Sequence, residues 1–244
     1  MDSAFFYILI VTFIATLIRS TFGFGESLVA VPLFIQFLPI ETAVPLSVLL
    51  SIFIAVIIVV QDHQKIHIKS AKWLILFAIP GIPVGLMLLV YGNEALVKSG
   101  LGILIALYSF YFLFGKKAGE LKSDNMYWLA GCGFLSGVFG GAYGLNGPPL
   151  VVYGNKRRWS KQHFRATLQA YFLPASAFGV IGYAFKGLLH VEVFTYFLIA
   201  LPAAIPALFL GRYLNHRLNS DSFFRYIHVG LALIGLYLLF DALT

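Results

Sequence analysis

Two glycine-rich stretches interrupt an otherwise apolar chain and hold most of its polar chemistry. In Arg19-Ser-Thr-Phe-Gly-Phe-Gly-Glu26 a cation and a carboxylate flank Gly23 and Gly25. In the second stretch, Gly137 to Pro149, there is no charge, but Gly140, Gly141, Gly144, Asn146, Gly147 and Pro148 crowd together. Glycine tolerates left-handed backbone and close approach, so such breaks free N–H groups to face a ligand. Pro148 suits the first turn of a following helix, with Asn146 or Gly147 as its cap. A helix N-terminus carries roughly half a positive charge and unpaired donors, so two facing N-termini make a site for an anion. Arg19 would add charge to that site, unless it snorkels to the headgroups. Glu26 would carry a proton, pair with Arg19, or serve only as a helix-dipole partner. Arg165 and Gln169 lie further on, Gln169 as a neutral group aimed at the centre and Arg165 as a second cation or a topology signal.

The elements that position these residues must lie in lipid. Of 244 residues, 60% are hydrophobic and only 11% charged, with a mean hydropathy of +0.88. Soluble domains run near 45–50% apolar and about 25% charged. A soluble enzyme, a disordered tail and a disulfide scaffold are therefore excluded. The net charge of +7 does not point to nucleic acid, because the basic residues gather in short loops between apolar runs. Cys132 stands alone within an apolar run, and the six histidines have no metal-ligand spacing. No metal or cofactor is expected. Phe5 to Ile18 imitates a signal-peptide core but lacks the basic start, so it is kept as part of the mature chain.

Six apolar runs are long enough to span a core of about 30 Å: 41–61, 73–91, 95–115, 165–185, 191–211 and 222–242. Stretches 4–38 and 125–154 are each broken near the middle. Their pieces, at 1.5 Å per residue, reach about 22 Å at most. Each is expected to be a helix, an irregular turn, and a second helix returning to the side it left, either re-entrant or as two short crossings. With both counted as an even number of crossings, the four basic loops (65–72, 116–122, 156–165 and 212–225) fall on one side. That side is expected to be the cytoplasm, with both termini outside.

The halves also look like copies. Phe22-Gly23 recurs as Phe139-Gly140, and Pro32-Leu33 as Pro149-Leu150, at an offset of 117. Pro80 resembles Pro202 at an offset of 122, which pairs Ser47 with Gln169. The expected architecture is an all-α polytopic membrane protein made of two inverted repeats, residues 1–116 and 124–244. Each repeat is a broken hairpin plus three spanning helices. Inverted repeats supply two nearly equivalent conformations around a central site, the basis of alternating access.

Gly23-Phe-Gly-Glu-Ser-Leu-Val-Ala-Val-Pro-Leu33, Ala43-Val-Pro-Leu46, Gly140-Gly-Ala-Tyr-Gly-Leu-Asn-Gly-Pro-Pro-Leu150 and Phe164-Arg-Ala-Thr-Leu168, in that order, resemble the sulfite exporter TauE/SafE family of membrane permeases. The sequence departs from the run of three glycines common in that family, with Gly25-Glu-Ser27 and Gly140-Gly-Ala142 in its place. The resemblance implies a secondary transporter of the plasma membrane that moves sulfite, sulfoacetate or related organosulfur anions, coupled to protons. A passive anion channel, or a permease for small carboxylates, is the competing expectation. An intramembrane enzyme is not expected: Glu26 is the only plainly intramembrane acid, and neither Gly-x-Ser-x-Gly nor His-Glu-x-x-His occurs.

Overall fold

A computed structural model describes residues 2–114 and 120–217, together with Leu233, Leu236 and Phe240. Every regular element among the described residues is helical: α1 (Asp2–Phe22), α2 (Glu26–Phe34), α3 (Ile40–Asp62), a short 3-10 turn (His63–Lys65), α4 (Ile68–Ala78), α5 (Gly81–Tyr91), α6 (Glu94–Phe114), α7 (Met126–Tyr143), α8 (Gly147–Lys156), α9 (Lys161–Phe185) and α10 (Val191–Arg217). Four of them are long and apolar enough to cross a membrane, or five if α4 and α5 count as one bent span. The chain is an all-α, multi-pass membrane protein. The expected span 222–242 lies outside the described residues, apart from those three positions, as does most of the loop 116–122.

Three boundaries differ from the sequence expectation. Span 73–91 is not one rod; α4 and α5 meet at an angle of 44° around Pro80. Pro80 and Pro83 each lack the N–H that would continue the helical ladder, so the bend follows from two missing hydrogen bonds within one turn. The first helix of each hairpin is also longer than anticipated. α1 has 21 residues and α7 has 18, so neither is too short to cross; only the returning helices α2 and α8, of nine and ten residues, are short. The breaks themselves shrink to Gly23–Gly25 and Gly144–Asn146. Gly140 and Gly141 are helical, because glycine flanked by good helix-packing partners is tolerated there.

Both hairpins do return. The Tyr7 hydroxyl, near the start of α1, donates to the Leu33 carbonyl at the end of α2 over 2.8 Å, and the Tyr7 ring lies 4.0 Å from that of Phe37. In the second hairpin Asp124, just before α7, accepts from the Tyr153 hydroxyl (2.6 Å) and Arg157 Nε (3.1 Å) at the end of α8, and from Ser70 of α4 (3.0 Å).

Packing then brings the breaks inward. α1 lies along α10, α7 lies along α4 and α5, and α3 crosses α9 between them. The close contacts use small residues. A Cβ added at Gly137 or Gly141 would come within 2.2 Å of the Ala78 or Ile82 carbonyl oxygen, and one at Gly85 within 2.0 Å of the Val138 oxygen. With no hydrophobic drive between helices in lipid, such backbone-to-backbone approach is what holds α7 against α4 and α5. On the other side Gly211 admits Ser20, whose hydroxyl donates to the Leu208 carbonyl over 2.6 Å.

Asp124 ties α4, α7 and α8 at one end of the bundle. Burial alone would raise its carboxyl, but the Tyr153 and Ser70 hydroxyls and the Arg157 charge outweigh that and hold it below the ordinary carboxylate value. A depressed folded-state pKa contributes stability that is present above the ordinary range and lost as pH falls through the folded value. Asp124→Asn is therefore expected to cost about 1–3 kcal/mol at neutral pH and to flatten the acid limb of the stability profile. Thermal unfolding in detergent between neutral and acid pH measures both; an unchanged profile would mean that the clamp contributes nothing.

Candidate functional site

α1 carries Arg19 one turn before its end, and the chain then breaks at Gly23 and Gly25, whose φ values of +88° and +98° suit glycine alone. The break lets α2 begin at Glu26 with its first N–H groups uncapped by any side chain of Gly25. Arg19 is 3% exposed and Glu26 1%. Unpaired, either charge at this depth would cost several kcal/mol, and they meet: Arg19 Nη1 donates to Glu26 Oε2 over 3.1 Å.

Further hydrogen bonds to the pair come from Ser27 beside Glu26 and from two further helices, α3 and α9. Ser47 of α3 donates to Glu26 Oε1 (2.8 Å), and Ser27 to Oε2 (3.0 Å). Arg19 donates to Ser51 Oγ of α3 (2.6 Å) and, from Nε and Nη2, to Gln169 Oε1 of α9 at 3.2 and 2.8 Å. The Gln169 amide nitrogen in turn donates to the Gly23 carbonyl over 2.7 Å. The Phe172 ring covers the guanidinium at 4.8 Å from its centroid, a cation–π contact that keeps its weight in an apolar setting. Snorkelling is excluded for Arg19, which points into the bundle.

The second break faces the first. Gly144 has a φ of +69°, and a Cβ there would contact Val48 and lie 3.9 Å from Ser27 Oγ; one at Gly147 would lie 3.7 Å from Phe24. The left-handed glycines Gly23 and Gly144 stand 121 residues apart, four more than the ungapped offset, because α7 continues to Tyr143. Between the breaks is a cavity of about 20 Å³, lined by Arg19, Gly25, Glu26, Gly144, Asn146 and Gly147 among others. That holds a water molecule; a four-atom oxyanion needs the breaks to part.

Of the residues singled out in the sequence, Arg19, Gly25, Glu26, Gly144, Asn146 and Gly147 share this cavity, and Gln169 and Gly23 are bonded to its edge. Gly140 and Gly141 are not in the break. Gly140 lies under the Asn146 side chain, Gly141 against the backbone of α5, and both carbonyls accept from the Tyr183 hydroxyl at 3.1 Å. Pro148 occupies the first turn of α8, as its missing N–H allows, but lines a separate apolar groove of about 550 Å³ beside α6. Asn146 stands at the N-cap of α8 but makes no side-chain capping bond; its backbone carbonyl accepts from Ser136 over 2.6 Å. Arg165 lies beside Gly23, away from the cavity lining: a Cβ at Gly23 would meet the Arg165 Cα at 2.9 Å. Ser27, Ser51, Phe172 and Ser176, whose hydroxyl lies 3.4 Å from that of Ser51, were not foreseen as site residues. The spacing Gln169, Phe172, Ser176 on α9, and Ser47, Ser51 on α3, was the available signal: each set lies on one helical face.

A polytopic helical bundle with two breaks converging on a buried, hydrogen-bonded cation defines a membrane transporter rather than an enzyme. The comparisons with known proteins agree. The family model described as sulfite exporter TauE/SafE matches residues 8–238. The chain belongs to that family. A protein of Cupriavidus necator, named as a probable sulfite/organosulfonate exporter TauE, is 26% identical over 197 residues, covering 78% of this chain and 75% of its own. No solved structure matches the chain.

The two glycine types separate experimentally. Gly141→Val drives a side chain into the Ile82 carbonyl and is expected to prevent folding. Gly147→Ala has ordinary van der Waals room and is expected to fold while filling the cavity. Size-exclusion behaviour and thermal unfolding in detergent decide it; a stably folded Gly141→Val would refute the packing role of that glycine.

Proposed function

We propose that this protein carries small oxyanions of the sulfite and organosulfonate type across the plasma membrane by alternating access, with protons coupled through Glu26. The observation that carries the reading is the single cavity between the breaks, where Arg19 and the N-termini of α2 and α8 converge. Its donors suit an oxyanion: a guanidinium, serine hydroxyls, and backbone N–H groups at two helix starts. The organosulfur preference comes from family membership and from the name of the Cupriavidus necator relative.

In this reading coupling runs through Glu26. The Glu26 carboxylate, on the first residue of α2, already accepts from Arg19, Ser27 and Ser47. A substrate anion competes with it for the same donors. Protonating Glu26 removes that competitor and frees Arg19, so proton and anion bind together and move together. Net direction then follows the combined anion and proton gradients.

Alternating access draws support from the packing. α1 on α10 and α7 on α4–α5 are matching pairs from the two halves, with α3 and α9 crossing between them; rocking of one pair against the other would open the cavity to either face. In this reading the basic loops face the cytoplasm and the N-terminus lies outside. A passive pore is less well supported, since the cavity admits nothing larger than water.

The test is counterflow of labelled sulfite in proteoliposomes, with sulfoacetate, acetate and chloride as competitors. Saturable exchange stimulated by sulfite on the far side is expected, with organosulfur anions competing best. Strong competition by acetate would shift the substrate class to carboxylates, and flux without counterflow would indicate a pore. Lower pH is expected to tighten anion binding in the wild type. Glu26→Gln is expected to abolish that pH dependence, and its persistence would remove Glu26 as the proton carrier. Arg19→Gln is expected to weaken the anion's affinity about tenfold or more.

A further inference from the structure

A second buried cation stands outside the cavity. Arg165 enters from the first turns of α9, its side chain only 4% exposed, with its stem against Gly23. Its partner is unequal to it: Nη1 lies 3.7 Å from Asp62 Oδ2 at the end of α3, beyond hydrogen-bond length. Nε and Nη2 are both buried and have no hydrogen-bond partner. These two nitrogens form one edge of the planar guanidinium, the fork that takes two oxygens of a carboxylate, sulfonate or phosphate side by side. Arg212, on α10, is close enough to add its positive potential. A buried charge with an open fork is a costly arrangement for structure alone, because each unpaired donor loses its hydration without compensation.

The geometry points to Arg165 as a second oxyanion-binding station, which holds the substrate headgroup on its Nε–Nη2 edge between the basic loops and the central cavity. This rests on the transport reading above and adds a polarity to it. Asp62 acts as the latch, keeping Nη1 oriented while the opposite edge stays unpaired. The station touches the central site through one short path: Arg165 packs on Gly23, whose carbonyl accepts from Gln169, which accepts from Arg19. An anion arriving at Arg165 therefore bears on the break that Arg19 shares. No counterpart exists in the first half. At offsets of 121 and 122 the matching positions are Val44 and Ala43, both buried and apolar. One face of the carrier has a capture station and the other does not, so anions are collected on the basic-loop side.

Sulfite uptake and exchange measured in right-side-out and in inverted membrane vesicles test this, because each presents one face to the added anion. Arg165→Gln is expected to raise the half-saturation concentration roughly tenfold on the basic-loop face and to leave the opposite face within about twofold. Arg165→Lys keeps charge and most of the packing but lacks the fork; a severalfold rise on the same face alone is expected. It decides the matter if the Gln variant does not fold. Arg19→Gln, in the central site, raises half-saturation on both. Equal changes on both faces for the Arg165 variants, or a wild-type profile for Arg165→Lys, would overturn the station while leaving the transporter reading intact. Absence of exchange in the wild-type protein would remove both.

Discussion

A cation and a carboxylate buried side by side in a membrane bundle constrain everything around them. Removing Arg19 or Glu26 from water is expensive, and their mutual attraction offsets the expense only if the remaining donors and acceptors are also satisfied. Four helices supply what is needed: α1 and α2 contribute the charges, α3 the Ser47 and Ser51 hydroxyls, and α9 the Gln169 amide and the Phe172 face. None of these helices can shift far without exposing an unpaired group. The site is thus also the internal strut of the fold.

Small residues solve the complementary problem of bringing backbones close in a solvent as apolar as the side chains. Gly137 and Gly141 of α7 and Gly81 and Gly85 of α5 let the carbonyls of one helix sit where a Cβ would otherwise be. That contact anchors the second hairpin, so Gly144 and Gly147 are presented to the first break. The two breaks differ in their chemistry. One break brings two charges, the other brings backbone and the neutral Asn146.

That asymmetry has mechanistic weight. Glu26 stands at the start of α2, and in the function proposed above its carboxylate holds the donors that the substrate anion would take. In that proposed function, substrate, carboxylate and proton compete around one guanidinium, a physical basis for coupling that needs no long pathway. The neighbouring guanidinium of Arg165 is held differently, by a loose contact to Asp62 and with one edge open.

The all-α membrane class, most span positions and the position of both breaks were legible in the sequence, because hydropathy, charge clustering and glycine are local properties. The pairing of Arg19 with Glu26 was one of several readings there; separation along the chain does not say whether two side chains on successive helices turn toward each other. Gly140 and Gly141 looked like parts of a loop because glycine is permissive in isolation, whereas both lie within α7, Gly141 packed on the α5 backbone and Gly140 under the Asn146 side chain. Ser51, Phe172 and Ser176 were hidden for the opposite reason: a hydroxyl or an aromatic in an apolar helix carries no mark of which neighbour it faces. Sequence alone determined that backbone must break twice inside a bilayer, since glycine and proline set local conformation wherever they fall. Only the tertiary structure decided that the two breaks share one cavity, because their meeting depends on helices from both halves packing across more than a hundred residues of chain.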